Sequence, residues 1–211
     1  MTEEHTRQAI VRWGRSLFER GLTAGSSGNI SVRHDDFYLM TPTNSCLGFL
    51  DPARLAKLSL DGGLISGDPP TKELPLHISF YEARQSARAV VHLHSTYATA
   101  LSCLSDTNPD NAVPPITPYV VMRVGRVPVI PYTRPGSADV SIHIRAKASN
   151  HAAILLGNHG PVVAGSSLEV AIFAIEELEE TAKLVLLTRG LAVRRLDQEQ
   201  IQDLNADFNL R

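Results

Sequence analysis

The chain has 211 residues, of which 43% are hydrophobic; this is enough for one substantial core, and we read it as a single domain. A formal net charge of -2, from 20 Lys+Arg against 22 Asp+Glu, argues against nucleic acid or an anionic membrane as a partner. Two distant cysteines, Cys46 and Cys103, argue against a disulfide framework. With no apolar run of about 18 residues and an acidic start at Met1-Thr2-Glu3-Glu4-His5, a cytoplasmic protein is expected.

From Glu3 to Arg20, Ile10, Val11, Trp13, Leu17 and Phe18 recur at helical spacing, and Gly21 supplies a stop. Gly25-Ser26-Ser27-Gly28-Asn29 breaks that pattern before the strand Ile30-Ser31-Val32, which pairs with Phe37–Met40 across His34-Asp35-Asp36. Such a turn can face an anion with free backbone N–H groups, although an ordinary turn is the default. The same two readings apply to Thr41-Pro42-Thr43-Asn44-Ser45. Leu55–Leu60 and Leu64–Ser66 form a second hairpin around Asp61-Gly62-Gly63. A helix then starts near Leu74-Pro75 and runs toward Ala83-Arg84, which places Thr71, Lys72 and Glu73 at its N-terminus. Hydroxyl, ammonium and backbone N–H groups can all meet an anion there. The default for Glu73 is a helix-dipole partner. His77 shares its face and is read as supporting Glu73 or the core rather than as a metal ligand.

The apolar strand Arg88–Leu93 carries His92 and leads to His94. Alternation sends both imidazoles to one side, and a helix capped at Ser95 follows. Two histidines at this spacing can grip one metal ion, while the ordinary alternative is a pair of hydrogen-bonded histidines. A second apolar strand, Ala152–Leu156, ends at Gly157-Asn158-His159-Gly160. His159 is therefore either a third ligand or a turn residue tolerant of left-handed backbone. Three imidazoles would leave one position of a tetrahedral zinc open. Between these strands lie a long loop from Ser105 to Pro118, surface residues Tyr119, Arg123 and Arg126, a strand Val127–Ile130 and a helical segment Val140–Ala148. Pro161–Ala164 returns as a strand. Leu168–Leu187 is the longest helix, with Glu176, Glu177, Glu179 and Glu180 read as a solvated face. The polar tail, Arg189–Arg211, is expected to lie over a neighbouring subunit.

These motifs, in this order, resemble the class II aldolase/adducin family over roughly Glu4 to Leu187. The resemblance rests on Gly25-Ser26-Ser27-Gly28-Asn29-Ile30-Ser31, Thr41-Pro42-Thr43, Thr71-Lys72-Glu73, His92-x-His94 and Asn158-His159-Gly160. It implies an α/β fold: a single-domain, three-layer α/β/α arrangement around a mixed, mainly antiparallel sheet, assembled as a homotetramer. It also implies a divalent metal, usually Zn2+ with Mn2+ or Co2+ as alternatives, on His92, His94 and His159. Glu73 would be the acid/base and would also touch the metal when no substrate is bound. Asn29, Thr43, Asn44, Thr71 and Lys72 would hold a phosphorylated sugar-acid substrate. Asn44 departs from the family's usual glycine, and Thr71-Lys72 from its usual pair of small hydroxyl residues, so Lys72 is also available for a substrate carboxylate.

Further stretches, among them Ser45-Cys46-Leu47-Gly48 and Thr117-Pro118-Tyr119-Val120-Val121-Met122-Arg123, resemble the branch that decarboxylates 3-oxo-tetronate 4-phosphates. That resemblance implies loss of CO2 to an enediolate stabilised by the metal as Lewis acid, with Glu73 supplying the proton that yields dihydroxyacetone phosphate. A sugar-phosphate aldolase of the fuculose or rhamnulose type uses the same enediolate. Together with a 4-epimerase or a dehydratase it is the alternative within the family. A non-catalytic adducin-like module would be expected to lack the histidines, and a purely structural zinc site would be closed by four protein ligands.

Overall fold

The computed structural model describes residues 2–207; Met1 and positions 208–211 of the expected tail lie outside the described residues. The elements follow the order α1 (Glu3–Glu19), β1 (Asn29–Arg33), β2 (Phe37–Met40), β3 (Ala56–Ser59), β4 (Leu64–Ser66), α2 (Leu74–Ala83), β5 (Ala89–His92), α3 (Thr96–Cys103), α4 (Pro118–Arg123), β6 (Val129–Ile130), α5 (Val140–Ala148), β7 (Ala153–Leu156), β8 (Gly160–Gly165), α6 (Leu168–Leu187) and α7 (Gln198–Asp207). The strands form one 8-stranded sheet, β4-β3-β2-β1-β5-β8-β7-β6. Its neighbours are antiparallel except β6 and β7, which run parallel.

Strand alternation builds a separate core on each face of the sheet. Ala89 and Val91 of β5, Ala153 and Leu155 of β7 and Val163 of β8 pack with α1, α3 and α6. Val90, Ile154, Leu156, Val162 and Ala164 point the other way, onto α2 and α5. This is the expected three-layer arrangement with a mixed, mainly antiparallel sheet. The central strands are buried on both faces, which is why they read as continuous apolar runs rather than as alternating ones.

Three features depart from the sequence reading. The expected loop Ser105–Pro118 gives way at Pro118 to the unforeseen helix α4, capped by the Thr117 hydroxyl, which accepts from Val120 N–H, while Tyr119, Arg123 and Arg126 are exposed as expected. The tail contains α7, which packs on α4 of the same chain. The acidic face of α6 is not uniformly solvated, because Glu179 is buried. No helix among the described residues is long and apolar enough to cross a membrane.

Candidate metal centre

β5 ends at His92, beside the start of β1, where Asn29 pairs with it, and beside β8, where Val162 does. The turn from β7 to β8 delivers His159 to the same end of the sheet. Left-handed backbone in that turn falls on Asn158, at φ 54°, and not on His159. The His159 N–H donates to Leu156 O and to Ser102 Oγ. Gly160 lets the two chain segments meet, since a Cβ there would lie 2.4 Å from Leu93 O. The resulting close approach puts His159 Nε2 3.0 Å from His94 Nε2, which is itself 3.1 Å from His92 Nε2.

A tetrahedral ion with metal–nitrogen bonds near 2.05 Å requires nitrogens about 3.3 Å apart, and both of these spacings match that to within a few tenths of an ångström. The protonation chemistry fits as well. His92 Nδ1 lies 2.8 Å from Pro161 O, a carbonyl that can only accept; Nδ1 therefore carries the proton, and the Nε2 lone pair faces the other two rings. Burial pushes His92 down to about 4 and also lowers His94 and His159, which leaves neutral imidazoles at pH 7. Glu73 completes the group: its carboxylate oxygens lie 3.3 Å from His92 Nε2 and 3.5 Å from His159 Nε2. One ligand atom from each of the four residues falls within 4.8 Å of all the others.

Glu73 sits at the N-cap position of α2 but makes no side-chain capping bond, so the helix-dipole default does not describe it. Its carboxylate instead turns to the histidines and accepts from Asn29 Nδ2 at 2.8 Å. Burial works to raise this carboxyl. The attraction that His92, and less so His159 and His77, exert when their rings are protonated, with the hydrogen bond from the Asn29 amide, outweighs burial and holds it below the ordinary carboxylate range, so Glu73 is a carboxylate at pH 7.

Of the residues expected to hold substrate, Asn29 opens β1, and Thr43, Asn44, Thr71 and Lys72 lie on two loops tied to each other. Thr43 N–H donates to Pro69 O, Thr71 N–H donates to Thr41 O, and Pro42 bridges Pro70. Asn44 takes left-handed backbone at φ 55°, which keeps the turn that glycine usually makes. Thr71 Oγ1 accepts from Glu73 N–H, Lys72 is exposed, and Asn29 directs both ends of its amide to Glu73 and His77. The hydroxyl of Ser27 in the preceding turn is spent locally on Ala24 O.

Two side chains near the centre lie where the sequence reading did not put them. Arg134, on the loop between β6 and α5, lines a narrow cleft of about 10 Å³ together with Glu73, Pro75, Gly136 and His159. Gly136 of that loop packs on Lys72. Nothing local in Pro131-Tyr132-Thr133-Arg134 signals this placement, which depends on β6 joining the sheet edge. Glu179 accepts from Tyr97 N–H and Ala98 N–H, both at 2.8 Å, and so caps α3 in place of Ser95, whose buried hydroxyl has no partner. A signal for Glu179 did exist, because it falls on the apolar repeat Ile172, Ile175, Leu178, Ala182. A larger cavity, about 790 Å³ and bounded by Arg84, Arg123, His151 and Asn205, contains none of the four metal-centre residues.

Comparison with known proteins identifies the family. The profile of the Class II Aldolase and Adducin N-terminal domain matches residues 8–186. A 3-oxo-tetronate 4-phosphate decarboxylase of Pectobacterium atrosepticum is 50% identical over 205 residues, covering 97% of this chain and 94% of the relative. One of Cupriavidus necator is 50% identical over 214 residues, covering 100% and 99%. The crystal structure of YgbL from Klebsiella pneumoniae superposes with a TM-score of 0.94 at 47% identity, covering 97% of this chain and 99% of that one. With that profile spanning most of its length, and with relatives matching it end to end, the chain belongs to the class II aldolase and adducin N-terminal domain family.

Proposed function

We propose that this chain is a carboxy-lyase that converts a 3-oxo-tetronate 4-phosphate to dihydroxyacetone phosphate and CO2, with a divalent metal, Zn2+ in the first instance, on His92, His94 and His159. The observation that carries the reading is the convergence of three neutral Nε2 atoms beside the Glu73 carboxylate. The names of the half-identical relatives favour decarboxylation over the aldolase, epimerase and dehydratase chemistries of the same family.

Loss of CO2 from a β-keto acid leaves its bonding pair on the carbon next to the ketone. A divalent cation held by the three histidines supplies Lewis acidity for the negative charge that develops there. Glu73, a carboxylate at rest, takes up a proton from water and delivers it to this carbon, which becomes dihydroxyacetone phosphate. The substrate is anionic at both ends, and the site offers two exposed cations, Lys72 and Arg134. Neither forms a salt bridge among the described residues; the arginines that do pair, such as Arg54 and Arg145, lie elsewhere. We assign the phosphate to Thr43, Asn44, Thr71 and Lys72 and the carboxylate to Arg134; Asn29, expected to meet the phosphate, has its amide engaged by Glu73 and His77 instead. Holding both ends fixes the breaking bond relative to the ketone, which lowers the barrier by positioning.

The homotetramer and the cytoplasmic setting belong to the same reading. Exposed Phe49, Ile142 and Leu191 offer apolar surface for assembly, and the free cysteines suit a reducing compartment. The test supplies purified protein with 3-oxo-tetronate 4-phosphates of both configurations, with and without chelator, and follows CO2 and aldehyde. Chelator-sensitive CO2 release from one configuration is expected. Aldehyde formed from a ketose phosphate, with no CO2 from either acid, would identify an aldolase instead.

A further inference from the structure

Asn29 and Ser31 alternate with Ile30 along β1, so they point away from the α1 side of the sheet and under α2, where they are buried. A buried amide and a buried hydroxyl need partners. α2 supplies them at His77 and Tyr81, and the register follows from simple geometry. Four residues of helix rise about 6.0 Å, and two residues of strand rise about 6.6 Å. The result is a continuous chain of hydrogen bonds. Tyr81 OH lies 2.7 Å from Ser31 Oγ, Ser31 Oγ 2.7 Å from His77 Nδ1, His77 Nε2 2.5 Å from Asn29 Oδ1, and Asn29 Nδ2 2.8 Å from Glu73 Oε2.

The direction of each bond is forced from the Glu73 end. A carboxylate can only accept, so the Asn29 NH2 group faces it and the Asn29 carbonyl faces His77. That carbonyl also only accepts, so His77 carries its proton on Nε2 and presents a bare Nδ1. Ser31 spends its one hydrogen on Nδ1 and accepts from Tyr81. Burial favours the neutral ring, pushing His77 down to about 3. A flipped Asn29 would set its oxygen against the carboxylate and its NH2 against the His77 N–H.

We propose that His77 is a positioning residue, which locks the Asn29 amide so that its NH2 group holds Oε2 of Glu73 and leaves Oε1 as the oxygen that exchanges a proton with substrate. His77 would touch neither metal nor substrate. The proposal rests on Glu73 serving as the acid/base.

The test compares zinc-loaded wild type, H77N and H77Q. Asparagine reaches Ser31 but places no donor where Nε2 was, whereas the longer glutamine amide restores one. The readouts are zinc content, kcat and KM for the keto acid, and exchange of dihydroxyacetone phosphate hydrogens in D2O. For H77N, zinc content and KM are expected to stay near wild type while kcat and exchange fall roughly 10- to 100-fold, the usual range for residues that orient a metal site. H77Q should recover most of that loss. The 15N imidazole spectrum of the wild type should show an Nε2–H tautomer at His77. Wild-type rates in H77N, a loss that H77Q fails to recover, or an Nδ1–H tautomer would each overturn the proposal. Failure of the decarboxylase reading looks different: CO2 release would be absent from wild type, while exchange and the tautomer still report on His77.

Discussion

Replacing Glu179 by alanine removes the group that holds the start of α3, two residues beyond His94. Its carboxylate accepts from Tyr97 N–H and Ala98 N–H, each at 2.8 Å, and Ala98 is fully buried. Hydrogen bonds to a charged group contribute about 1.5–3 kcal/mol each, and a stranded buried N–H costs about 1–3 kcal/mol. Loss of both bonds, partly offset by freed side-chain entropy, should therefore destabilise the fold by about 3–5 kcal/mol. Glu179→Gln keeps one acceptor oxygen and should cost about half as much. Urea unfolding of metal-free protein at one fixed concentration measures this, with the midpoint falling and the slope unchanged. Ser95→Ala is the internal control. The Ser95 hydroxyl occupies the N-cap position but is buried without a partner, so its removal should change stability by less than about 1 kcal/mol. If Glu179→Ala unfolded within about 1 kcal/mol of wild type, or if Ser95→Ala cost as much, the capping argument would be refuted.

Glu73→Gln should keep fold and metal but lower turnover by about 10²- to 10⁴-fold, the range for loss of a general acid/base; near wild-type kcat would remove it from that role. His94→Ala deletes one corner of the nitrogen triangle, so metal content after dialysis should fall with activity, and a metal-replete active variant would contradict the ligand assignment. Arg134→Leu should raise KM for the keto acid by about 10- to 100-fold while sparing hydrogen exchange of dihydroxyacetone phosphate, which has no carboxylate; equal effects on both would reassign Arg134 to phosphate. Acid should weaken the metal-free fold through His77. Its ordinary value is 6.5 and its buried value about 3, so below pH 6.5 the unfolded chain takes up a proton that the folded chain refuses, and stability falls until about pH 3. Between pH 7 and 4.5 this one group accounts for about 3 kcal/mol at 1.36 kcal/mol per unit, so His77→Gln should shrink the measured acid loss by that amount.

The elements that the sequence alone determined are those whose physics is local. α1 and α6 follow from their apolar spacing, the hairpins from Asp35-Asp36 and Gly62-Gly63, and the buried strands β5 and β7 from short apolar runs ending at a histidine. His92 and His94 were legible as a pair because alternation fixes their common side. His159 was legible from its strand end only as a ligand or a turn residue, since no spacing rule links it to residues more than sixty positions away; the resemblance favoured the ligand. Tertiary structure decided the rest: the antiparallel pairing of β5 with β8 brought His159 to the pair, and β6 at the sheet edge set Arg134 beside Glu73. Packing also reversed the reading of Glu179, whose charge suggests solvent but which meets the unpaired N–H groups of α3. It gave Asn29, read from resemblance as a phosphate contact, two partners, Glu73 at the N-cap of α2 and the buried His77 within it. A polar side chain takes its role from whichever donors and acceptors the fold brings within about 3 Å, and that distance is set by elements far apart in the chain.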